Sequence, residues 1–423
     1  MEKPSSPTRR KFLRDSSLSA LSFSIVPRHV LGKGFLAPSD TLTKAVIGVG
    51  SMGRAHFDYE GKLVAICDVD TRHLDKAMSM VDPGVRTYGD FRELLAQPDI
   101  DVVHIATPPH WHGIMAVEAA KAGKDIWCEK PMTRTIGEGI AVQRAVTEYD
   151  RIFRLNTWFR FEDRFYGMGV PIRPIKKLVE NRVFGWPLKV TISATTGFDW
   201  KFYWSGRTDL DIEQVPKELN YDMWLGPAPY KPYHRDRVHV RFRGYWDYDG
   251  GGLGDMGQHY MDPVQHILEK DGTGPISVEI DAPQQHPDAA GSWRRITYTY
   301  QDGCQIVLDG ANRDKEAAFI EGPEGKLYRG MRSNVSDDLT KIIAQLPDSA
   351  PQMTSFSEAV RTRQKFALNE MNGHRSCSLI NLGVIALRLG RNLKFDPASQ
   401  RFVDDEAANR MINQPMRGSW AIA

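Results

Sequence analysis

Lys130 and His259 are the two side chains whose types could carry proton and hydride chemistry together. A lysine beside a substrate hydroxyl polarises and orients it, and a histidine can take its proton, the two tasks that carbinol oxidation demands. Lys130 sits in Glu129-Lys130-Pro131, and His259 closes the run Gly250-Gly251-Gly252-Leu253-Gly254-Asp255-Met256-Gly257-Gln258-His259. Asp255 lies four residues before the histidine and Asp262 three after it, so on a helix the three share one face. A carboxylate there can fix the imidazole tautomer while the other ring nitrogen faces a substrate. Gly250 to Gly252 and Gly254 would leave a compact approach for a ligand to the start of that helix. His266 falls on the same stripe, which raises a metal site of Asp255, His259, Asp262 and His266. Hydride transfer needs no metal and no further ligand cluster accompanies them, so none is assigned. The plainer alternatives are a buried histidine satisfied by Asp262 and an exposed lysine that Pro131 holds extended.

These groups need a nucleotide beside them, and the chain provides a pattern for one. An apolar run at 44–49 leads into Gly48-Val49-Gly50-Ser51-Met52-Gly53, the G-x-G-x-x-G spacing. The first glycine permits a tight turn, the second lets backbone approach a pyrophosphate, and the third lets a helix pack on the strand. A second apolar run at 63–67 ends at Asp68, where a carboxylate can accept hydrogen bonds from the adenosine ribose and repel a 2′-phosphate. NAD is therefore expected over NADP. Further strands at 101–106, 125–128 and 152–155 alternate with helices from Gly113 to Gly123 and at 137–149, as a parallel doubly wound sheet requires.

Gly48 to His56, Ala106-Thr107-Pro108 with His112, Cys128-Glu129-Lys130-Pro131, and Gly250 to Asp262 together resemble the ordered motifs of the Gfo/Idh/MocA oxidoreductase family. The resemblance runs from about Leu42 to the C-terminus. It implies an α/β chain: an N-terminal Rossmann dinucleotide-binding domain and a C-terminal α+β domain with an open, mostly antiparallel sheet. It implies that Lys130 is the catalytic lysine, His259 the general base, Asp255 the acid one turn earlier and Asp262 a second acid. Gly48, Gly50, Ser51, Met52, Gly53, Asp68, Thr107, Pro108, His112, Glu129 and Lys130 would then surround NAD. Members of the family are mostly sugar and cyclitol dehydrogenases, and some relatives cleave glycosides through transient oxidation at C3.

A small-molecule carbohydrate fits the composition of the middle of the chain. Thirteen aromatic residues fall between Phe198 and Tyr248, interleaved with Lys and Arg, and aromatic faces with cations at the rim suit a pyranose. Trp158, Trp200, Arg237 and His239 are the substrate candidates. Arg235, Arg237, His239, Arg241 and Arg243 alternate with Val238, Val240 and Phe242, which predicts a strand with one basic face. A net charge of +2 and a pI near 8.2 argue against a nucleic-acid partner.

The chain has 423 residues, 41% hydrophobic and 26% charged, enough for two cores, and no run resembles a membrane span. The expected layout is a signal and arm at 1–40, a nucleotide-binding domain at 41–161 and a substrate domain at 162–423. Strands are expected at 188–194, 276–280, 295–300, 305–309 and 317–321, and helices at 356–368, 376–389 and 404–412. Cys67, Cys128, Cys304 and Cys377 lack metal-type spacing and read as buried thiols. Thr8-Arg9-Arg10-Lys11-Phe12-Leu13 before the apolar stretch 18–26 matches a twin-arginine signal, with the translocation machinery as partner and a periplasmic or otherwise exported location; a basic tail is the alternative. Free NAD is scarce outside the cytoplasm, so an exported enzyme should keep its cofactor and run a redox-neutral or ping-pong cycle. A homo-oligomer is compatible with the sequence, as is a nucleotide-bound sugar sensor.

Overall fold

The computed structural model describes residues 41–157, 160–161, 168–418 and 420; the twin-arginine segment and Trp158 lie outside them. The described residues from Thr43 onward form one compact unit. Its first sheet has six strands, β1 (Thr43–Ile47), β2 (Lys62–Cys67), β3 (Arg86–Tyr88), β4 (Val102–Ile105), β5 (Asp125–Glu129) and β6 (Phe153–Asn156). All pair in parallel in the order β3-β2-β1-β4-β5-β6. Every residue of β4 and β5 is buried, as strands covered on both faces require. The helices between them are α1 (Ser51–Ala55), α2 (Thr71–Met78), α3 (Phe91–Leu95), α4 (His112–Lys121) and α5 (Ile136–Glu148). Thr135 and Glu138 start α5 with a reciprocal capping box. The strand order reverses between β1 and β4, so the crevice for a ligand opens at their carboxyl ends.

The second sheet has eight strands in the order β12-β11-β7-β10-β9-β8-β13-β14, of which the short β11 (Ile320–Glu321), β12 (Lys326–Leu327), β13 (Leu393–Asp396) and β14 (Arg401–Phe402) form its edges. Its longer members are β7 (Lys189–Ser193), β8 (Ser277–Asp281), β9 (Arg295–Thr299) and β10 (Gln305–Asp309). β7 and β10 pair in parallel, and the other pairs are antiparallel. In β9 the buried Ile296 and Tyr298 alternate with half-buried neighbours, so one face meets the core. That core also takes in α6 (Ile172–Glu180), and after the short α7 (Tyr221–Leu225) the longer α8 (Gly251–Ile267). It is completed, beyond α9 (Leu339–Gln345) and α10 (Phe356–Thr362), by α11 (Glu370–Leu389). All 17 residues of α8 are buried, which makes it the central post of the molecule. Each large apolar side chain it buries contributes roughly 1.5–3 kcal/mol.

Several expectations need correction. Residues 235–243 form no strand: Arg235–Arg237 and His239–Gly244 are 3-10 turns. The alternation of charge reflects separate partners, because Arg235 meets Glu213, Arg237 meets Asp288, His239 meets Asp70 and Arg243 meets Asp255. The helix expected over 356–368 ends at Thr362, where Arg363 turns left-handed at φ 58°. The terminal helix shrinks to α12 (Glu406–Asn409). All four cysteines are free and buried.

Candidate active site

The three fingerprint glycines are distinguished by what a side chain would strike. Gly48 has φ +83°, and a Cβ there would lie 2.9 Å from the Ala106 backbone. At Gly53 it would lie 1.7 Å from the Gly48 carbonyl oxygen, so only glycine lets α1 pack on β1. Over Gly50 the nearest atom is His73 Cε1 at 4.0 Å, and that open side faces the cavity. Asp68, at the end of β2, braces the turn: its Oδ2 accepts from Val49 N at 2.9 Å and lies 3.2 Å from His73 Nδ1. A cradle whose middle glycine alone is open suits a pyrophosphate, and the Asp68 carboxylate beside it suits a ribose.

The cavity above this turn has a volume of about 370 Å³. Gly48, Gly50, Ser51, Met52, Asp68, Thr107, Pro108, Glu129 and Lys130 line it from the nucleotide-binding side. Asp249, Asp255 and Arg243 face them from the other. His112 stands behind the wall, with its ring nitrogens 2.7 Å from the Pro131 oxygen and 2.8 Å from the Thr107 oxygen. It therefore sets the loops after β4 and β5 rather than reaching a ligand. Glu129 is likewise held by His56 at 2.9 Å and Asn156 at 2.6 Å.

Lys130 and Asp255 meet at the cavity wall. Lys130 Nζ donates to the Asp255 main-chain oxygen at 2.6 Å and to Oδ1 at 3.1 Å. The same carboxylate accepts from Arg243 Nε at 2.9 Å and Trp204 Nε1 at 3.1 Å, with Lys201 at 3.5 Å. Burial opposes its ionisation, yet the Lys130 and Arg243 cations hold its pKa well below the usual carboxylate range. Asp249 is the opposite case: burial, then the Asp255 charge, push its pKa up to about 7. His259 lies one turn beyond Asp255, 3% exposed. Burial and then the Lys130 ammonium lower its pKa to about 3, so the ring is neutral at neutral pH.

Asp262 belongs to a different cluster. Its two oxygens accept from Arg160 Nε and Nη2, both at 2.8 Å, and Arg160 also binds Asp271. This buried fork places Asp262 in a structural ion pair, so the tautomer-setting role expected of it does not fit. His266 joins that cluster, 3.0 Å from Asp271, so the four residues weighed as metal ligands are divided between two separate networks. Asp70, His73 and His239 do bring ligand atoms within 4.8 Å of one another. Arg72 already holds both Asp70 oxygens, at 3.0 and 2.6 Å.

The other substrate candidates go elsewhere. Trp200 is 3% exposed and packs on Trp293 and Tyr260 in the core. Arg237 pairs with Asp288 at 2.8 Å and lies over the Tyr245 ring. His239 reaches the nucleotide end, 3.1 Å from Asp70 Oδ2. Nor do the glycines before His259 make room for a ligand. A Cβ at Gly252 would strike the Trp200 oxygen at 1.9 Å, and one at Gly254 the Asp249 carboxylate at 1.9 Å. No motif singles out Asp249 or Gln258, and Arg243 and Trp204 stand out in the sequence only within the basic alternation and the aromatic-rich stretch. Gln258 Oε1 accepts from Met132 N at 2.8 Å while Nε2 donates to the Gly373 oxygen at 2.8 Å, tying the Lys130 loop to α11.

Two family models match the chain: "Oxidoreductase family, NAD-binding Rossmann fold" over residues 42–157 and "Oxidoreductase family, C-terminal alpha/beta domain" over 168–422. The chain belongs to the Gfo/Idh/MocA oxidoreductase family. Its nucleotide-binding half is thus an NAD-binding Rossmann unit, in agreement with the glycine cradle and Asp68. A glycosyl hydrolase family 109 protein of Shewanella baltica (strain OS185) is 38% identical over 139 residues, 29% of this chain and 30% of that protein. The chain therefore matches under a third of the length of these curated relatives. Among solved structures, the WlbA dehydrogenase of Bordetella pertussis in complex with NADH and UDP-GlcNAcA superposes with a TM-score of 0.57 at 18% identity, covering 84% of this chain and 99% of that one. The aldose-aldose oxidoreductase of Caulobacter crescentus, complexed with glycerol, gives 0.54 at 18% identity, covering 84% and 100%. Both share the fold.

Proposed function

We propose that this Gfo/Idh/MocA protein is an exported enzyme that transfers hydride between a ring carbinol of a sugar or glycoside and a retained NAD. The observation that carries the reading is the Lys130–Asp255 contact, which brings a lysine from the nucleotide-binding half to the helix that bears His259. Bound NAD supplies the hydride acceptor and donor. Asp255 and Arg243 hold the Lys130 ammonium at the cavity wall, where it orients and polarises the hydroxyl. Neutral His259 accepts the hydroxyl proton, and the burial that lowers its pKa also keeps water from the imidazole. Export follows from the Arg9-Arg10 segment and favours a cofactor retained through the cycle.

The names of the curated relatives favour a second reading, redox-neutral glycoside cleavage. Oxidation at C3 would acidify the C2 proton, elimination would break the glycosidic bond, and water addition with re-reduction would restore the sugar. Asp249, a buried acid in the same cavity with its pKa near 7, suits such proton traffic. Mass spectrometry of the purified protein for bound nucleotide, followed by incubation with a glycoside panel, tests both. Ketosugar supports the oxidoreductase and free sugar the hydrolase. Absence of turnover with nucleotide bound leaves a sugar sensor, and absence of both nucleotide and NAD binding overturns the proposal.

A further inference from the structure

The segment that connects β7 to α8 crosses the mouth of the nucleotide crevice and is fastened on both banks. On the β2 side, Asn220 N donates to the Val69 oxygen at 2.9 Å and Thr71 N to the Glu218 oxygen at 3.0 Å, with Asp70 and Leu219 forming an antiparallel bridge. On the α4 side, the Trp224 carbonyl oxygen lies 3.0 Å from His110 Nε2 and accepts from Trp111 Nε1 at 3.1 Å. Gly226, at φ +50°, fits so closely that a Cβ would lie 2.1 Å from the Trp111 ring. Met223, Trp224, His239, Val240 and Phe242 of this segment line the same cavity as Gly50 and Asp68. His239 takes a left-handed backbone at φ 50°, uncommon for a residue with a Cβ, and its ring centroid stands 4.7 Å from that of His73, itself held by Asp68.

The geometry points to residues 217–243 as a strap that closes over the adenosine ribose of NAD, with His239 and His73 as its clasp. The strap retains the nucleotide because release requires the main-chain bonds to Val69 and Thr71, just beyond β2, to part first. It is the physical counterpart of the retained cofactor in the reading above, and it rests on NAD binding alone, independent of which sugar is oxidised. A metal is the weaker occupant for the clasp, since Arg72 neutralises Asp70 and His73 Nδ1 already faces Asp68.

Two variants cut the strap at different points. His239→Ala removes the clasp. Thr71→Pro deletes the N–H that binds the Glu218 oxygen, at the first position of α2, where proline fits, after an Asp70 already extended at φ −112°, ψ 113°. Displacement of radiolabelled NAD by excess NAD gives the release rate, and rapid mixing of emptied protein with NAD gives the association rate. Wild type should keep its nucleotide through gel filtration. Thr71→Pro should raise release and association rates together by tenfold or more, the signature of a gate. His239→Ala should raise release by at least as much, with wild-type melting. Wild-type rates in both variants, or a slowed association in Thr71→Pro, would overturn the strap while leaving NAD binding intact. Wild-type protein that binds no NAD would overturn the nucleotide reading itself.

Discussion

Lys130 Nζ and the Asp255 carboxylate, 3.1 Å apart, join the end of strand β5 to the second turn of α8, and so fix the two halves of the chain through the groups proposed to do the chemistry. Lys130→Ala and His259→Ala should each leave NAD bound and slow hydride transfer by roughly 10²-fold or more, the scale of a positioned acid–base group. Because both act on one hydroxyl, the double variant should lose less than the product of the single effects. Single-turnover reduction of bound NAD by an active glycoside, read at 340 nm, measures this step. The pH profile adds a sign. Burial and Lys130 lower the His259 pKa, so the base form persists into acid and the acid limb lies below pH 6.5. Lys130→Met removes one lowering charge and should move that limb upward; an unmoved limb would separate the two residues.

Asp262 separates stability from catalysis. Removing one member of a buried ion pair leaves the other uncompensated, at a cost of about 3–5 kcal/mol. Asp262→Asn should therefore lower the denaturant midpoint sharply, softened by the second partner Asp271, while single-turnover reduction of the folded fraction stays near wild type. A rate loss like that of His259→Ala with an unchanged midpoint would restore Asp262 to the reacting centre.

The strand–helix alternation, the glycine cradle, Asp68 and the Lys130 loop were legible because each depends on local rules: β-branched runs, turn geometry and one carboxylate at a strand end. The strap and the Asp255 network were not. The first part of the strap carries no period of its own, and its bonds go to Val69 and Thr71 just after β2 and to His110 and Trp111 just before α4, well over a hundred residues away in sequence. The alternating Arg and His residues imitated a strand although Arg235, Arg237, His239 and Arg243 each meet a carboxylate on a different part of the chain. Asp262 was misassigned for the complementary reason. Helical spacing puts it on the His259 face, but the Arg160 guanidinium, invisible in that spacing, claims both oxygens.

Export has a direct test. Replacing Arg9 and Arg10 by Lys should trap the protein in the cytoplasm with its nucleotide-binding unit intact, because a twin-arginine signal depends on that pair. Fractionation of cells expressing each form, with NAD content as the control for folding, reads the outcome. Unchanged export would make the segment a basic arm and remove the argument for retention that rests on location.

Asp249 should make stability depend on pH in a window of its own. Its pKa rises from about 3.8 in the unfolded chain to about 7 in the fold, through burial and then the Asp255 charge. Between those values the folded state holds a proton that the unfolded state has released, so this contribution is complete below pH 3.8 and is lost as pH rises towards 7. Glu138, raised to about 7 by burial, acts in the same direction, whereas His259, lowered to about 3, opposes both. The total slope therefore mixes signs, and the comparison of variants isolates one group. Asp249→Asn stays neutral and keeps an acceptor for the Gly250 N–H, which the native carboxylate binds at 2.8 Å. Relative to wild type it should gain stability steadily from pH 4 to pH 7, reaching at most on the order of 3 kcal/mol. Denaturant melts of both proteins at half-unit pH steps measure the difference. A constant offset across the window would mean that Asp249 ionises normally and has no reserve proton to offer a leaving group.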